Sequence, residues 1–220
     1  MVKTIKKVFK VAVTGGAGSG KSSVCNRLKE LGITIISSDL LAREAVTPGS
    51  SAHKKIVNYF GENVLLSDGK LNRQMLRHII VNNDTARLTL EQFIHPEIIK
   101  LMQRKMTQAE QNGDRVIVVE VPLLFELGLE KQFDLVVLVS ADPEMRVKRL
   151  MDRDKVSRED AEELLKVQMP NREKVKRGVF VLSNNGSAEQ LINSVDLFYE
   201  KFLKNTGKGS KVLDSQDIMF

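Results

Sequence analysis

The chain has few of the devices that staple or anchor a protein. A single cysteine among 220 residues excludes an intramolecular disulfide and points to a reducing, cytoplasmic setting. Tryptophan is absent and aromatics make up 5% of the chain, so basic residues are not interleaved with stacking side chains as on a nucleic-acid-binding face. No apolar run approaches the ~20 residues that a membrane helix needs. The basic start MVKTIKKVFK lacks the apolar core and cleavage site of a secretory signal. No internal repeat is visible. The net charge of +6 is dispersed along the chain, which favours a site for small polyanions over a nucleic-acid surface. Neither nucleic acid, membrane nor an obligate protein partner is expected. At this length one domain, with or without inserts, can bury a sizeable core.

Against this plain background one stretch carries chemistry. Thr14–Ser23, TGGAGSGKSS, contains Gly15-x-x-x-x-Gly20-Lys21-Ser22, the phosphate-binding loop pattern. The pattern requires a strand before it and a helix after it. Residues 8–13 read as the strand, and 22–31, with Val24, Leu28 and Leu31 apolar, as the helix. Gly16, Ala17, Gly18, Ser19, Gly20 and Ser23 would supply the turning backbone around a nucleotide's phosphates. Lys21 would reach the β/γ-phosphates and Ser22 would ligate Mg²⁺. Cys25, on the same helix, reads as a small packing residue.

Residues 33–36 read as a second strand, followed at once by Ser37-Ser38-Asp39. Ligands of parallel sheets gather at the carboxyl ends of strands, so Asp39 is expected beside the phosphate loop. It is either a first-turn acid of helix 40–46, worth about 1 kcal/mol, or a carboxylate that takes the proton of an attacking hydroxyl. Arg43 either pairs with Asp39 one turn away or holds a substrate phosphate. From Thr47-Pro48-Gly49-Ser50 to Asn112 the sequence reads as helices: 53–60, then 73–81 capped by Asn72, then 85–94. His95-Pro96 is expected to start a separate helix to about 111, with Pro96 at its first position. This block is far longer than a crossover and reads as an inserted substrate domain. Within it Arg73, Arg77, His78 and His95 either face substrate or serve as solvated and capping residues.

Residues 115–119, RVIVV, read as a buried parallel strand. Glu120 follows it and either supports Mg²⁺ through water or pairs with a neighbouring base. Residues 135–139 make a fourth strand. Asp142-Pro143 then opens a helix as cap and first residue. That helix carries Arg146, Lys148, Arg149 and Arg153, and Ser157-x-x-Asp160 starts a second one to about 169. So many bases after a strand of this fold fit a lid closing over ATP, although a solvated face would look similar. Residues 179–183 form the last strand, and Asn184-Asn185-Gly186 follows where a nucleotide base could rest. Ser187 caps a final helix to about 203, and 205–215 is expected to be unfixed.

Taken together these segments resemble the dephospho-coenzyme A kinase family over nearly the whole chain. The marks are Thr14–Ser22, Asp39-x-x-Ala42-Arg43, Ile94-His95-Pro96, Val121-Pro122-Leu123-Leu124-Phe125-Glu126 and Asn184-Asn185-Gly186. The resemblance implies an α/β P-loop three-layer sandwich with a five-stranded parallel sheet. Its core would span about 5–42, 113–145 and 173–204, with a helical substrate-domain insert at about 43–112, a helical lid at about 146–172 and a flexible tail at 205–220. It implies transfer of the γ-phosphoryl of ATP to the ribose 3′-hydroxyl of dephospho-coenzyme A, with Mg²⁺. Lys21, Asp39 and Arg149 would be catalytic. Arg149 and Asn185 would join the loop in holding ATP, and Asp39, Arg43, Arg77, His95, Pro122 and Leu123 would hold the acceptor. Two positions depart from the family pattern: Ser37 stands where an acid is usual, and Arg177-Gly178 where Ala-Asp is usual. Competing readings are another small-substrate or nucleoside monophosphate kinase of this fold, and a nucleotide-binding regulator that transfers nothing.

Overall fold

The computed structural model describes residues 8–81, 83–166, 168–177 and 179–206. The basic N-terminal residues, Gly178 and the tail from 207 onward lie outside the described residues. The chain divides into two compact units, one made of Met1–Ile36 with Ala109–Phe220 and the other of Ser37–Gln108.

The first unit is built on a five-stranded parallel sheet in the order β2-β3-β1-β4-β5. β1 (Phe9–Thr14) is central, β2 (Thr34–Ser37) is at one edge, and β3 (Val116–Glu120), β4 (Leu135–Ser140) and β5 (Phe180–Ser183) complete it. β1 pairs in parallel with β3, Val13 opposite Glu120, and with β4, Val13 opposite Val137. These strands are almost uninterrupted runs of valine, isoleucine and leucine because both faces are covered. On one face Val11, Val13, Val118 and Val137 pack with Val24, Cys25 and Leu28 of α1 (Lys21–Glu30) and with Leu191, Val195 and Phe198 of α9 (Ala188–Phe198). α1 and α9 are also joined by a two-pronged ion pair, Arg27 Nε and Nη2 to Asp196 at 2.7 and 2.8 Å. Ser187 caps α9 through a reciprocal box with Gln190, and the helix runs on as a wider π turn over Tyr199–Leu203.

Within the second unit lie α2 (Ser38–Ala45), α3 (Ser51–Phe60), α4 (Arg73–Val81) and most of α5 (Asp84–Gln111). Ser50 caps α3, Asn72 caps α4 and Asn83 caps α5, each side chain accepting a backbone N–H three residues on. Ala52, Ile56, Val64, Leu71, Leu76 and Leu90 form the core of this unit.

Three expectations need correction. No separate helix begins at His95-Pro96; α5 is continuous and Pro96 lies inside it. The proline forfeits one backbone bond, ordinarily a cost of about 3 kcal/mol. Burial of Leu90, Leu101, Met102 and Met106 along the same helix offsets that loss. Asp142 occupies the cap position of α6 (Pro143–Asp154) but makes no side-chain cap; its carboxylate accepts from Asn185 Nδ2 at 2.9 Å instead. The helix begun at Ser157, α7 (Arg158–Lys166), stops short of 169, and a further short helix, α8 (Asn171–Val175), follows. There the fully buried Lys174 lies 3.4 Å from Glu126 Oε1, an oxygen that also accepts the Met169 N–H at 3.1 Å.

Candidate active site

Strand order reverses around β1, and its carboxyl end is where a parallel sheet opens for ligands. The loop 15–20 leaves the sheet there and delivers Gly20 as the residue before α1. Gly20 is left-handed (φ 98°), and a side chain at that position would run into Asn184 Nδ2. Glycine is therefore required for backbone shape and for clearance.

Lys21 is 9% exposed and its ammonium reaches back to the Gly16 carbonyl at 3.0 Å. Ser22 Oγ donates to Glu120 Oε1 at 2.9 Å. That contact follows from register: Glu120 ends β3 opposite Val13, so the strand brings its carboxylate to the first turn of α1. Two hard oxygen donors meet here, and among the described residues no cluster of three or more His, Cys, Asp or Glu could hold an ion by itself. A divalent cation bound mainly by water and nucleotide phosphates fits such a sparse donor set.

Both sides of the loop crest are held. Gln168 Oε1 accepts the Ala17 N–H at 2.8 Å, and Arg146 Nε donates to the Ala17 carbonyl at 2.9 Å. Arg149 donates through Nη1 to the Gly18 carbonyl at 3.4 Å, and through Nη2 to the Asn184 carbonyl at 3.1 Å and its Oδ1 at 3.3 Å. Asn184 Nδ2 in turn donates to the Ser19 carbonyl at 2.8 Å. A cavity of about 330 Å³ opens beside this cluster, lined by Gly20, Ser23, Arg149, Asn184, Ala188 and Ile192 among others. Thr14 Oγ1 donates to the Pro122 carbonyl at 3.5 Å, which ties the turn after β3, with the half-buried Leu123, to the end of β1. Cys25, buried behind the loop, has its thiol pushed far up by desolvation, with Glu120 adding to the effect and Lys21 opposing it. It is a packing residue and not a nucleophile.

The structure thus brings together Gly16, Ala17, Gly18, Ser19, Gly20, Lys21, Ser22, Ser23, Glu120 and Arg149. Asn185 is present at the end of β5, but its side chain is occupied by Asp142: Oδ1 accepts the Asp142 N–H at 2.8 Å while Nδ2 donates to the carboxylate. Its neighbour Asn184 is the one that touches the loop. Pro122 and Leu123 lie in the turn after β3, in the same unit as the loop, and the other candidates belong to the helical unit. Asp39 is exposed in the first turn of α2, two residues past β2, and Arg43 is exposed in the last turn of the same helix without pairing with it. Arg77 is exposed on α4 and His95 half-buried on α5. At the departure from the family pattern, Arg177 donates to Glu130 Oε1 at 3.2 Å and lies over the Phe125 ring.

Sequence reasoning missed Gln168, and it named Arg146 and Asn184 only as members of the basic run on α6 and of the loop after β5, without their contacts to the phosphate loop. Strand parity was the available signal for Asn184, since it continues the buried alternation of β5 past Ser183.

Comparison with known proteins places these features in context. A sequence model of the dephospho-CoA kinase family (CoaE) matches residues 9–190. A dephospho-CoA kinase from Geobacter sulfurreducens is 42% identical over 191 residues, covering 87% of this chain and 97% of that protein. One from Moorella thermoacetica is 40% identical, covering 90% and 94%. A solved dephospho-CoA kinase from Campylobacter jejuni superposes with a TM-score of 0.69 at 29% identity, covering 89% of this chain and 98% of that one. A shikimate kinase from Acinetobacter baumannii, at TM-score 0.51 and 17% identity, shares the fold alone.

Proposed function

The chain belongs to the dephospho-CoA kinase family, and from that premise we propose that it phosphorylates the ribose 3′-hydroxyl of dephospho-coenzyme A with ATP, giving coenzyme A and ADP. The observation that carries the chemistry is the cradle itself, in which Lys21, the loop amides and the Ser22–Glu120 pair converge at the start of α1.

The loop amides and the α1 N-terminus bind the nucleotide's phosphates. Lys21, already within reach of the loop crest, neutralises charge on the β/γ-oxygens. Arg149 and Asn184 form the wall of the cavity that receives the nucleoside end. Mg²⁺, when bound, would draw on Ser22 and Glu120 and would spread the phosphate charge. Asp39 takes the acceptor hydroxyl's proton, a role supported by its type and by its place two residues past a strand's carboxyl end. Arg43, Arg77, His95, Pro122 and Leu123 hold the acceptor. The α6–α7 hairpin serves as the lid. Among the described residues no helix is long and apolar enough to cross a membrane, and the single buried cysteine suits a cytoplasmic protein. Because little covalent work remains for the protein, positioning and electrostatics set the rate.

The test is ADP release with dephospho-coenzyme A, AMP, shikimate or gluconate as acceptor. Turnover is expected with the first alone; equal turnover with any of the others would overturn the acceptor assignment. ATP binding without transfer to any of them would favour a regulator.

A further inference from the structure

α6 places Arg146 and Arg149 three residues apart, so both reach the phosphate loop from one helical face. Arg149 is the one expected there. Arg146 lies deeper: it is 8% exposed and has its Nε on the Ala17 carbonyl at 2.9 Å. That bond uses one of the guanidinium's five N–H donors. Its terminal nitrogens lie where a side chain at position 16 would stand, so Gly16 leaves the space that the cation fills.

The charge around Arg146 is the unusual part. Arg27, Arg87, Arg153, Arg158 and Arg177 each sit against an aspartate or glutamate. No carboxylate among the described residues pairs with Arg146, the most enclosed of these. Burial alone shifts its pKa, downward, with no neighbouring anion pulling the other way. A buried cation without a counter-ion is strongly unfavourable, and exchange for an apolar residue of similar size is often neutral or stabilising. Such a group persists when a partner absent from the free protein supplies the opposite charge.

We propose that Arg146 is a permanent phosphate-binding cation of the loop, whose counter-charge is the polyphosphate of the bound nucleotide. The proposal rests on reading the loop as a nucleotide site. The Arg146 guanidinium is already set against the loop backbone in the free protein, so it acts on ADP and ATP alike and governs affinity more than turnover.

Titration calorimetry with Mg·ADP and thermal melts of the full chain test this with Arg146→Met, Arg146→Gln and Arg146→Lys. Met is expected to weaken ADP binding about 10- to 100-fold and to raise the KM for ATP by more than it lowers kcat. It should melt at or above the wild-type temperature, which a merely structural arginine would not do. Lys should recover part of the affinity by keeping charge without the fork. Should Met fail to fold, Gln decides: it can still donate to the Ala17 carbonyl but carries no charge. ADP affinity unchanged in Met or Gln would overturn the proposal. If the wild-type protein itself binds no ADP, the nucleotide reading of the loop falls first; wild-type binding with unchanged variants removes Arg146 alone.

Discussion

The two units bury different things. In the α/β unit Thr14, Ser19, Lys21, Glu120, Arg146, Lys174 and Asn184 are all buried polar or charged side chains; in the helical unit, among the described residues, only His53 is. His53 is moreover satisfied locally, its Nε2–H donating to the Gly69 carbonyl at 2.9 Å. The helical unit otherwise packs aliphatic and aromatic groups and carries Asp39, Arg43 and Arg77 on its surface. One unit fixes its charges before any ligand arrives, at a cost in desolvation. The other fixes a shape and leaves the charges of Asp39, Arg43 and Arg77 in water.

The strongest way to break this contrast is Lys21→Ala. Removing a fixed charge aimed at transferring phosphate should cost at least ~10²-fold in kcat, read by coupled ADP release; near-normal turnover would remove Lys21 from the chemistry. On the other side, Asp39→Asn should lower kcat by about 10²–10⁴-fold with ATP affinity retained. A change confined to KM would make Asp39 a binding group. Ile56→Ala, in the core of the helical unit, should cost about 2–5 kcal/mol by urea denaturation while leaving Mg·ADP affinity as it was. A parallel loss of ADP affinity would show that the two units do not divide their work. The smallest effect belongs to Asp196. Arg27's hydrogen bonds hold this carboxyl below the usual carboxylate range. Its contribution is therefore complete above about pH 4 and fades as pH falls through the lowered value. The melting difference between wild type and Asp196→Asn should be greatest near neutrality and vanish in acid; a difference that grew on acidification would contradict the assignment.

What could be read from the sequence follows the same division. A parallel sheet announces itself because valine-rich strands covered on both faces leave little to confuse them with, and the loop is legible because its spacing encodes a backbone shape. Ser22 and Glu120 were legible separately; their meeting depends on the register of β3 with β1, which no local pattern contains. Arg146 stood in the sequence as one of several bases on α6, and only packing decides which of them is buried. Gln168 gave no signal, being a polar residue between two helices. Pro96 misled because local chemistry favours a helix start there, while the apolar burial along α5 outweighs one missing backbone bond. Asp142 shows the reverse: cap-forming sequence, but a side chain recruited by Asn185.

The chain's one thiol has a use that follows from where it is packed. Cys25 sits four residues past Lys21, sealed between the central strands and α9. An alkylating reagent can reach it only when that layer opens, so its modification rate clocks excursions of the nucleotide-gripping half without any engineered label. Ligands that tighten the cradle should slow that clock, the logarithm of its rate falling in proportion to the free energy they contribute.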